Sequence, residues 1–327
     1  MSSKSRSSKS RARGSSSNPP WAIALVAILA IGAVALTVAA VTHGRPDSLL
    51  SASPHPTARP THPLAQPTHP TAAPTQPVAE PVEAPPPVLT LPLVPRAQER
   101  FFMVDSVGTL WRAVAGSCTT GEPPLVERSS DDGATWSDVT PRYLGITQVA
   151  GLLPLEPGEA ELIAAVGTEC AVQGLRTYTQ GEFWSSYPEV LDSASYVAPT
   201  EAAALVSAAG APPAPCDAPS SLAVDGTTTA LVCGTTPYVW SPDSGPGWVE
   251  VPATPTRAAH VAGGMLTLAR ASVDCVGTAI STTAVADPSA LQTTCLTGVD
   301  PAAPAVLAAD PRGGVVLWAG ETLTRVE

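Results

Sequence analysis

The chain has 327 residues, with 37 Pro and 25 Gly, and carries a formal net charge of -11. So much Pro and Gly excludes one uniform globule. Its two lysines, Lys4 and Lys9, both lie in the first 20 residues and the remainder is acidic, which argues against nucleic acid or anionic polymers as partners of that remainder.

Residues 1–20 are polar, Ser-rich and basic, with Lys4, Arg6, Lys9, Arg11 and Arg13 and no acid. Such a segment cannot bury a core and is expected to be a disordered cytoplasmic tail. Its charge reads as a positive-inside signal, because an apolar run follows directly. Trp21 to Val41 is almost wholly apolar and uncharged. About 20 such residues cross the hydrocarbon core, so residues 21–42 are expected to be a signal-anchor helix. That places the N-terminus inside and everything after it outside. A cleaved signal peptide is the competing reading, but its apolar region would be shorter, and Ala39-Ala40-Val41 makes a poor cleavage site.

Residues 43–95 read as a stalk of Pro, Thr and Ala. A seven-residue unit recurs from His55, from His62 and from His69. Proline at this density favours polyproline II, and roughly fifty residues at about 3.1 Å each reach about 150 Å at most. A seven-residue step does not stack the three histidines on one face of a three-residue helix. They read as spacer residues and not as metal ligands.

Residues 96–327 carry short apolar runs, such as Phe101-Phe102-Met103-Val104 and Val315-Val316-Leu317-Trp318, separated by turn residues such as Asp225-Gly226. Frequent short strands with regular turns predict an all-β domain. Inside it, Ser129-Ser130-Asp131-Asp132-Gly133-Ala134-Thr135-Trp136 has the form S-x-D-x-G-x-T-W. Ser241, Asp243, Gly245 and Trp248 repeat that spacing, and Thr177, Thr179, Gly181 and Trp184 keep it with Thr in place of Asp. A short acid or hydroxyl closes such a turn on nearby N–H groups, and Gly supplies a backbone angle other residues resist. A wider frame surrounds each box: an apolar strand, a Cys, a second strand, then the box.

These residues give the domain a resemblance to the Asp-box, or BNR-repeat, β-propellers. The resemblance implies blades of four strands, with each box between the third and fourth strand at the outer edge. Roughly 230 residues at roughly 45 per blade predict five to seven blades. The segment from Ala305 to Glu327 is expected to complete a blade together with Phe101–Val104, so closing the ring. Trp111, Trp240, Trp248 and Trp318 read as packing between blades, or as lining a sugar or peptide surface.

Six cysteines, Cys118, Cys170, Cys216, Cys233, Cys275 and Cys295, predict an oxidising compartment and three disulfides. Cys216–Cys233 and Cys275–Cys295 are close enough to staple hairpins. That leaves Cys118 and Cys170 at equivalent places in successive blades. Connectivity stays open at this level. No C-x-x-C pair points to a metal, and no cofactor is expected.

The same resemblance raises glycoside hydrolysis, since sialidases are among its members. They need an arginine triad, a Tyr with a Glu partner and an acid. Ten arginines are scattered from Arg96 to Arg325, and their spacing places no three at one pore. Asp131 and Asp132 belong to a turn. The expectation is therefore a membrane-anchored, extracytoplasmic, non-catalytic binding or scaffold module for an envelope protein or glycan. A sialidase-like hydrolase and a purely structural wall-spanning spacer are the alternatives.

Overall fold

The computed structural model describes residues 89–199 and 204–327. The expected tail, membrane span and nearly all of the stalk lie outside the described residues. No helix among the described residues is long and apolar enough to cross a membrane.

From Arg100 onward the chain builds five antiparallel sheets, each wound strictly in sequence order, and the whole is a five-bladed β-propeller. The first blade is β1 (Arg100–Val104), β2 (Leu110–Val114), β3 (Leu125–Ser129) and β4 (Ser137–Asp138). The second is β5 (Ile146–Pro154), β6 (Ala160–Val166), β7 (Ala171–Thr177) and β8 (Ser185–Ser186). A helical turn, Val190–Ser193, and a two-stranded ribbon, β9 (Tyr196–Val197) and β10 (Leu205–Val206), follow it. The third blade is β11 (Pro219–Asp225), β12 (Thr228–Cys233), β13 (Thr236–Trp240) and β14 (Val249–Glu250). The fourth is β15 (Thr256–Ala262), β16 (Met265–Ser272), β17 (Cys275–Ala284) and β18 (Asp287–Thr297). The last has three strands, β19 (Ala305–Ala309), β20 (Val315–Ala319) and β21 (Thr322–Val326).

First strands meet around the axis. β11 touches β15, β15 touches β19, β19 touches β1 and β1 touches β5, while the ribbon strand β9 bridges β5 and β11. Neighbouring blades pack face to face. Met103, Trp111 and Val126 of the first blade share a core with Val149, Leu162, Leu175 and Trp184 of the second. Trp111 and Trp184 meet edge to face, with centroids 6.3 Å apart, a favoured aromatic geometry. Val232 and Val239 pack on Val261 and Leu268 between the third and fourth blades. Small alanines such as Ala164, Ala230 and Ala269 are fully buried and let the sheets approach closely.

Ring closure differs from the expectation. β1 does not complete the last sheet; it pairs with β2, from Arg100 opposite Val114 to Val104 opposite Leu110. The hairpin wins because its ends are a few residues apart, and a short loop costs little closure entropy. Its turn is pinned by Asp105, whose Oδ1 accepts the N–H groups of Val107 (3.1 Å) and Thr109 (2.8 Å). The ring closes through side chains instead. Phe102 and Leu110 pack against Ala308, Val316 and Trp318. The Arg100 guanidinium lies 4.0 Å from the Trp318 ring centre. Asp132 accepts from Arg325 Nη2 at 2.7 Å, and Asp310 accepts from Arg325 Nε at 2.9 Å.

All six cysteines are paired, as Cys118–Cys170, Cys216–Cys233 and Cys275–Cys295. The first bond ties the first blade to the second across 52 residues; the others close spans of 17 and 20. Loop-closure entropy scales with the logarithm of that span. The Cys118→Ala/Cys170→Ala pair should therefore cost most, about 4 kcal/mol against about 3 kcal/mol for either short bridge. Equilibrium unfolding in guanidinium chloride checks the order; equal or reversed losses would show that the long bridge does not constrain the unfolded chain.

A second expectation concerns the closing seam. The Asp310 side chain is 2% exposed, whereas Asp132 is 59% exposed. Burial pushes the Asp310 carboxyl up, but the Arg312 N–H and the Arg312 and Arg325 guanidiniums outweigh it and hold it below the usual carboxylate range. Asp310→Ala should lose about 2 kcal/mol because it removes a buried carboxylate that accepts the Arg312 N–H and the Arg312 and Arg325 guanidiniums. Asp132→Ala should lose under about 1 kcal/mol, as exposed pairs do. Urea midpoints of the two variants decide between them.

Candidate functional site

The boxes are built as turns between third and fourth strands. In the first, Ser129 Oγ donates to Asp131 Oδ1 at 2.7 Å and accepts the Gly133 N–H at 2.9 Å. Asp131 also accepts the Thr135 N–H (2.9 Å) and the Thr135 hydroxyl (2.6 Å). In the second box Thr177 accepts the Gly181 N–H at 3.0 Å, and Thr179 accepts the Phe183 N–H at 2.8 Å. A hydroxyl thus replaces the carboxylate without changing the frame. Asp132 and Gln180 take the same left-handed backbone (φ 58° in both), and Gly133 and Gly181 follow at 87° and 88°. The third box departs. Ser241 and Ser244 close a 3-10 turn, Pro242–Ser244, in place of Asp243, and Gly245 turns at φ 101°. Trp136, Trp184 and Trp248 each stand just before the fourth strand of their blade.

Each box also docks on what precedes it. A Cβ at Gly133 would come within 3.0 Å of Leu323 in the last blade, and one at Gly181 within 2.7 Å of Val139 in the first. Trp184 Nε1 donates to the Val139 carbonyl (3.0 Å), and Trp248 Nε1 to that of Pro213 (2.9 Å). Trp111, Trp240 and Trp318 are buried, and Trp248 is half-buried.

Sequence reasoning missed a second staple. Asp105, at the end of the first blade's inner strand, accepts the Gly158 N–H of the second blade at 2.9 Å. Asp225, at the end of β11, accepts the Gly263 N–H of the fourth at 2.7 Å. Asp310 directly follows β19 and joins the closing seam. The signal was present as an Asp after the inner strand of three blades.

Several concave regions lie among the described residues, and two of them gather candidate binding groups. The first is a groove of about 740 Å³ at the outer edge between the first two blades. Arg128, Asp138, Tyr143, Tyr178, Gln180 and Glu182 line it. Tyr143 and Tyr178, with the adjacent Phe183, are half or more exposed. Yet both tyrosines are held. The Tyr143 hydroxyl donates to the Trp184 carbonyl at 2.8 Å and accepts its N–H. Tyr178 meets Tyr187 edge to face, and its hydroxyl accepts from Arg176 Nη1 at 3.1 Å. Asp138 is held down to about 2 by the hydrogen bond from Arg142, so it is ionised at neutral pH.

The second is a cavity of about 160 Å³ at one mouth of the propeller axis, where inner strands begin. Arg96, Arg100 and Arg257 all line it, with Glu99. Three arginines that the sequence offered no means of placing together thus line one cavity. Spacing along the chain could not reveal it, because two come from the segment entering the first blade and one from the fourth. None of the five tyrosines lines this cavity. Among the residues lining it Glu99 is the one carboxyl, and burial pushes it up despite Arg96 and the Ser221 N–H.

No family model and no curated protein matches the chain. Among solved structures it is similar to the Hadza microbial sialidase Hz136, at 13% identity and a TM-score of 0.34, covering 69% of this chain and 52% of that one. The chain thus spans about half the length of that sialidase. It is similar to YCF48 bound to D1 peptide, at 15% identity and a TM-score of 0.36, covering 72% and 94%. It is also similar to an alpha-L-arabinanase of Penicillium chrysogenum, at 15% identity and a TM-score of 0.33, covering 71% and 78%. None of these likenesses bears on activity or partner.

The Thr135 hydroxyl and N–H, then the Ser129 hydroxyl, lower the Asp131 carboxyl from 3.8 to about 2. A carboxyl depressed on folding adds stability above its ordinary value, and that contribution fades as pH falls toward 2. Thr135→Val should therefore raise the Asp131 titration midpoint and shift acid unfolding to higher pH. Thr179→Val in the second box removes no titrating group and should lower stability equally at pH 3 and pH 6. Circular dichroism across that range reads both; an unshifted acid midpoint in Thr135→Val would break the account.

Proposed function

We propose that this chain is a membrane-anchored, extracytoplasmic binding module that engages a macromolecular partner of the cell envelope through the outer groove between its first two blades. The observation that carries this is the pair of exposed tyrosines at that groove. Large aromatics held by hydrogen bonds offer contact area at little entropic cost, which suits recognition. Arg128, Asp138, Gln180 and Glu182 around them add directional polar groups. Export is supported by the three disulfides, which belong to oxidising compartments. Anchoring through residues 21–42 and reach through residues 43–95 rest on the sequence.

A sialidase-like hydrolase is the second reading, favoured by the three guanidiniums at the axial mouth. Against it, that cavity holds no tyrosine, and its arginines are engaged with the chain's own carbonyls. Arg96 donates to the Pro219 and Val197 carbonyls, and Arg257 to that of Pro92.

Three assays on the purified full chain separate the readings. A binding module retains a defined envelope glycan or protein, and Tyr178→Ser with Phe183→Ser should weaken that retention tenfold or more while leaving thermal stability within a few degrees. A hydrolase would release fluorophore from a panel of fluorogenic glycosides. A spacer would do neither, and shortening residues 43–95 would alone abolish its cellular effect. Retention unchanged by the double substitution would remove the groove from the account.

A further inference from the structure

The outer groove holds one cation that the fold itself leaves unspent. Of the ten arginines from Arg96 to Arg325, nine donate to a carboxylate, a hydroxyl or a backbone carbonyl. Arg128 makes neither a hydrogen bond nor an ion pair among the described residues. Its Nε–H is buried without an acceptor, whereas Nη1 and Nη2 are not buried and carry no bond either. The strand fixes where this group stands. Arg128 follows Val126 by two positions in β3, so both side chains leave the same face. Val126 is buried in the core shared by the first two blades. The Arg128 guanidinium lies 5.7 Å from the ring centre of Trp111, the indole that meets Trp184 of the second blade edge to face. It therefore stands at the seam where the groove opens, and Arg128 lines that groove.

The face of Trp111 attracts a cation, but it takes none of the N–H groups in a strong bond. A guanidinium with Nε buried and both Nη groups open presents its end, two roughly parallel donors. That is a fork for the two oxygens of one carboxylate. The rest of the groove limits what can carry that carboxylate. Tyr143 and Tyr178 spend their hydroxyls on Trp184 and Arg176 and leave their rings half or more exposed. A ring whose hydroxyl is engaged is an apolar platform, suited to the C–H face of a sugar. Gln180 and Glu182 are exposed and unbonded among the described residues, and offer donors and acceptors that sugar hydroxyls can meet. An extended peptide would instead want a sheet edge or apolar pockets for its anchors. The flanking strands β4 and β8 are two residues long each, and only Val139 and Gly181 among the lining residues lack a polar side-chain group. Asp138 and Glu182 line the groove as well, so one carboxylate finds Arg128 and a second meets like charge.

Resting on the outer groove as the binding surface, we infer that its partner is a glycan bearing an isolated carboxylate, a single acidic sugar in an otherwise neutral chain, and that Arg128 takes this group end-on through Nη1 and Nη2. At about 740 Å³ the groove falls within the roughly 300–1,000 Å³ of ligand clefts. The tyrosine rings and the polar rim hold the sugar chain, and Arg128 selects which chain is held. A polyanion is refused by the two acids beside it and by the acidic chain as a whole.

The test is isothermal titration calorimetry of the full-length chain with two matched pairs of saccharides. One pair is the disaccharide of N-acetylglucosamine and N-acetylmuramic acid against chitobiose. The other is xylotriose bearing one glucuronate against xylotetraose. The acidic member of at least one pair should bind about tenfold or more tightly than its neutral counterpart, as a charge-assisted pair of bonds provides. Arg128→Gln should bring the acidic member down to the affinity of the neutral one. Arg128→Lys keeps the charge and loses the fork, so it should retain only part of the preference, and it carries the test if the Gln variant does not fold. Binding by neither acidic member, equal affinity within both pairs, or a preference undiminished in both Arg128 variants overturns the inference. So does Arg128-dependent binding of the pentapeptide Gly-Ser-Glu-Ser-Gly, which would assign the fork to a protein. If the preference is absent while Tyr178→Ser with Phe183→Ser still weakens retention of the envelope partner, the carboxylate assignment falls and the groove stands. If that double substitution also has no effect, the groove falls with it.

Discussion

A propeller blade is a small sheet with two apolar faces and no partner of its own. Its stability comes from the faces of its neighbours, and the neighbours depend on it in the same way. In this chain the seams are filled by side chains from the second and third strands: Trp111 and Leu175, Val232 and Leu268, Leu110 and Trp318. Burying each of these is worth about 1.5–3 kcal/mol, but only if the ring is complete. An open end would expose a whole face and an unpaired sheet edge. Closure between the last blade and the first is therefore the constraint on which every other seam rests.

The chain meets that constraint without sharing strands between its ends. Instead it places polar staples at several of its seams. The boxes place a tryptophan indole or a glycine against the preceding element, as with Trp184 on Val139 and Gly133 against Leu323. The aspartates ending the inner strands reach N–H groups one blade on. At the closing seam these two devices meet, because Asp132 of the first box and Asp310 of the last inner strand share Arg312 and Arg325. A motif that reads as a turn is thus also a joint between sheets. The Cys118–Cys170 bond adds a covalent tie between the first two blades.

These joints also shape the surfaces available for function. Docking the second box on the first blade creates the outer groove and fixes Tyr143 against Trp184. Drawing the entering segment across the axis places Arg96 and Arg100 beside Arg257. Both regions arise at junctions where one element braces another, so their side chains are held before any ligand arrives. Such preorganisation lowers the cost of binding.

Much of the architecture was legible along the chain because its signals are local. The box spacing at Trp136, Trp184 and Trp248, the strand-to-Cys frame and the turn residues are all set within about ten residues, a range over which backbone angles and short hydrogen bonds decide the conformation. Cys216 and Cys233, and Cys275 and Cys295, lie 17 and 20 residues apart, near enough for the chain to suggest a staple while leaving the connectivity open. What local pattern could not decide was which distant surfaces meet. Whether Phe101–Val104 joins the last sheet or its own hairpin is a competition between two pairings of similar composition, settled by loop entropy and by packing against Trp318. The convergence of Arg96, Arg100 and Arg257 leaves no spacing signature, since an arginine at the start of a strand looks the same whether it faces solvent or an axis. Sequence determined the strands, turns and repeat; tertiary structure alone decided the closure and the charged mouth, because both depend on contacts between residues brought together only when the ring is formed.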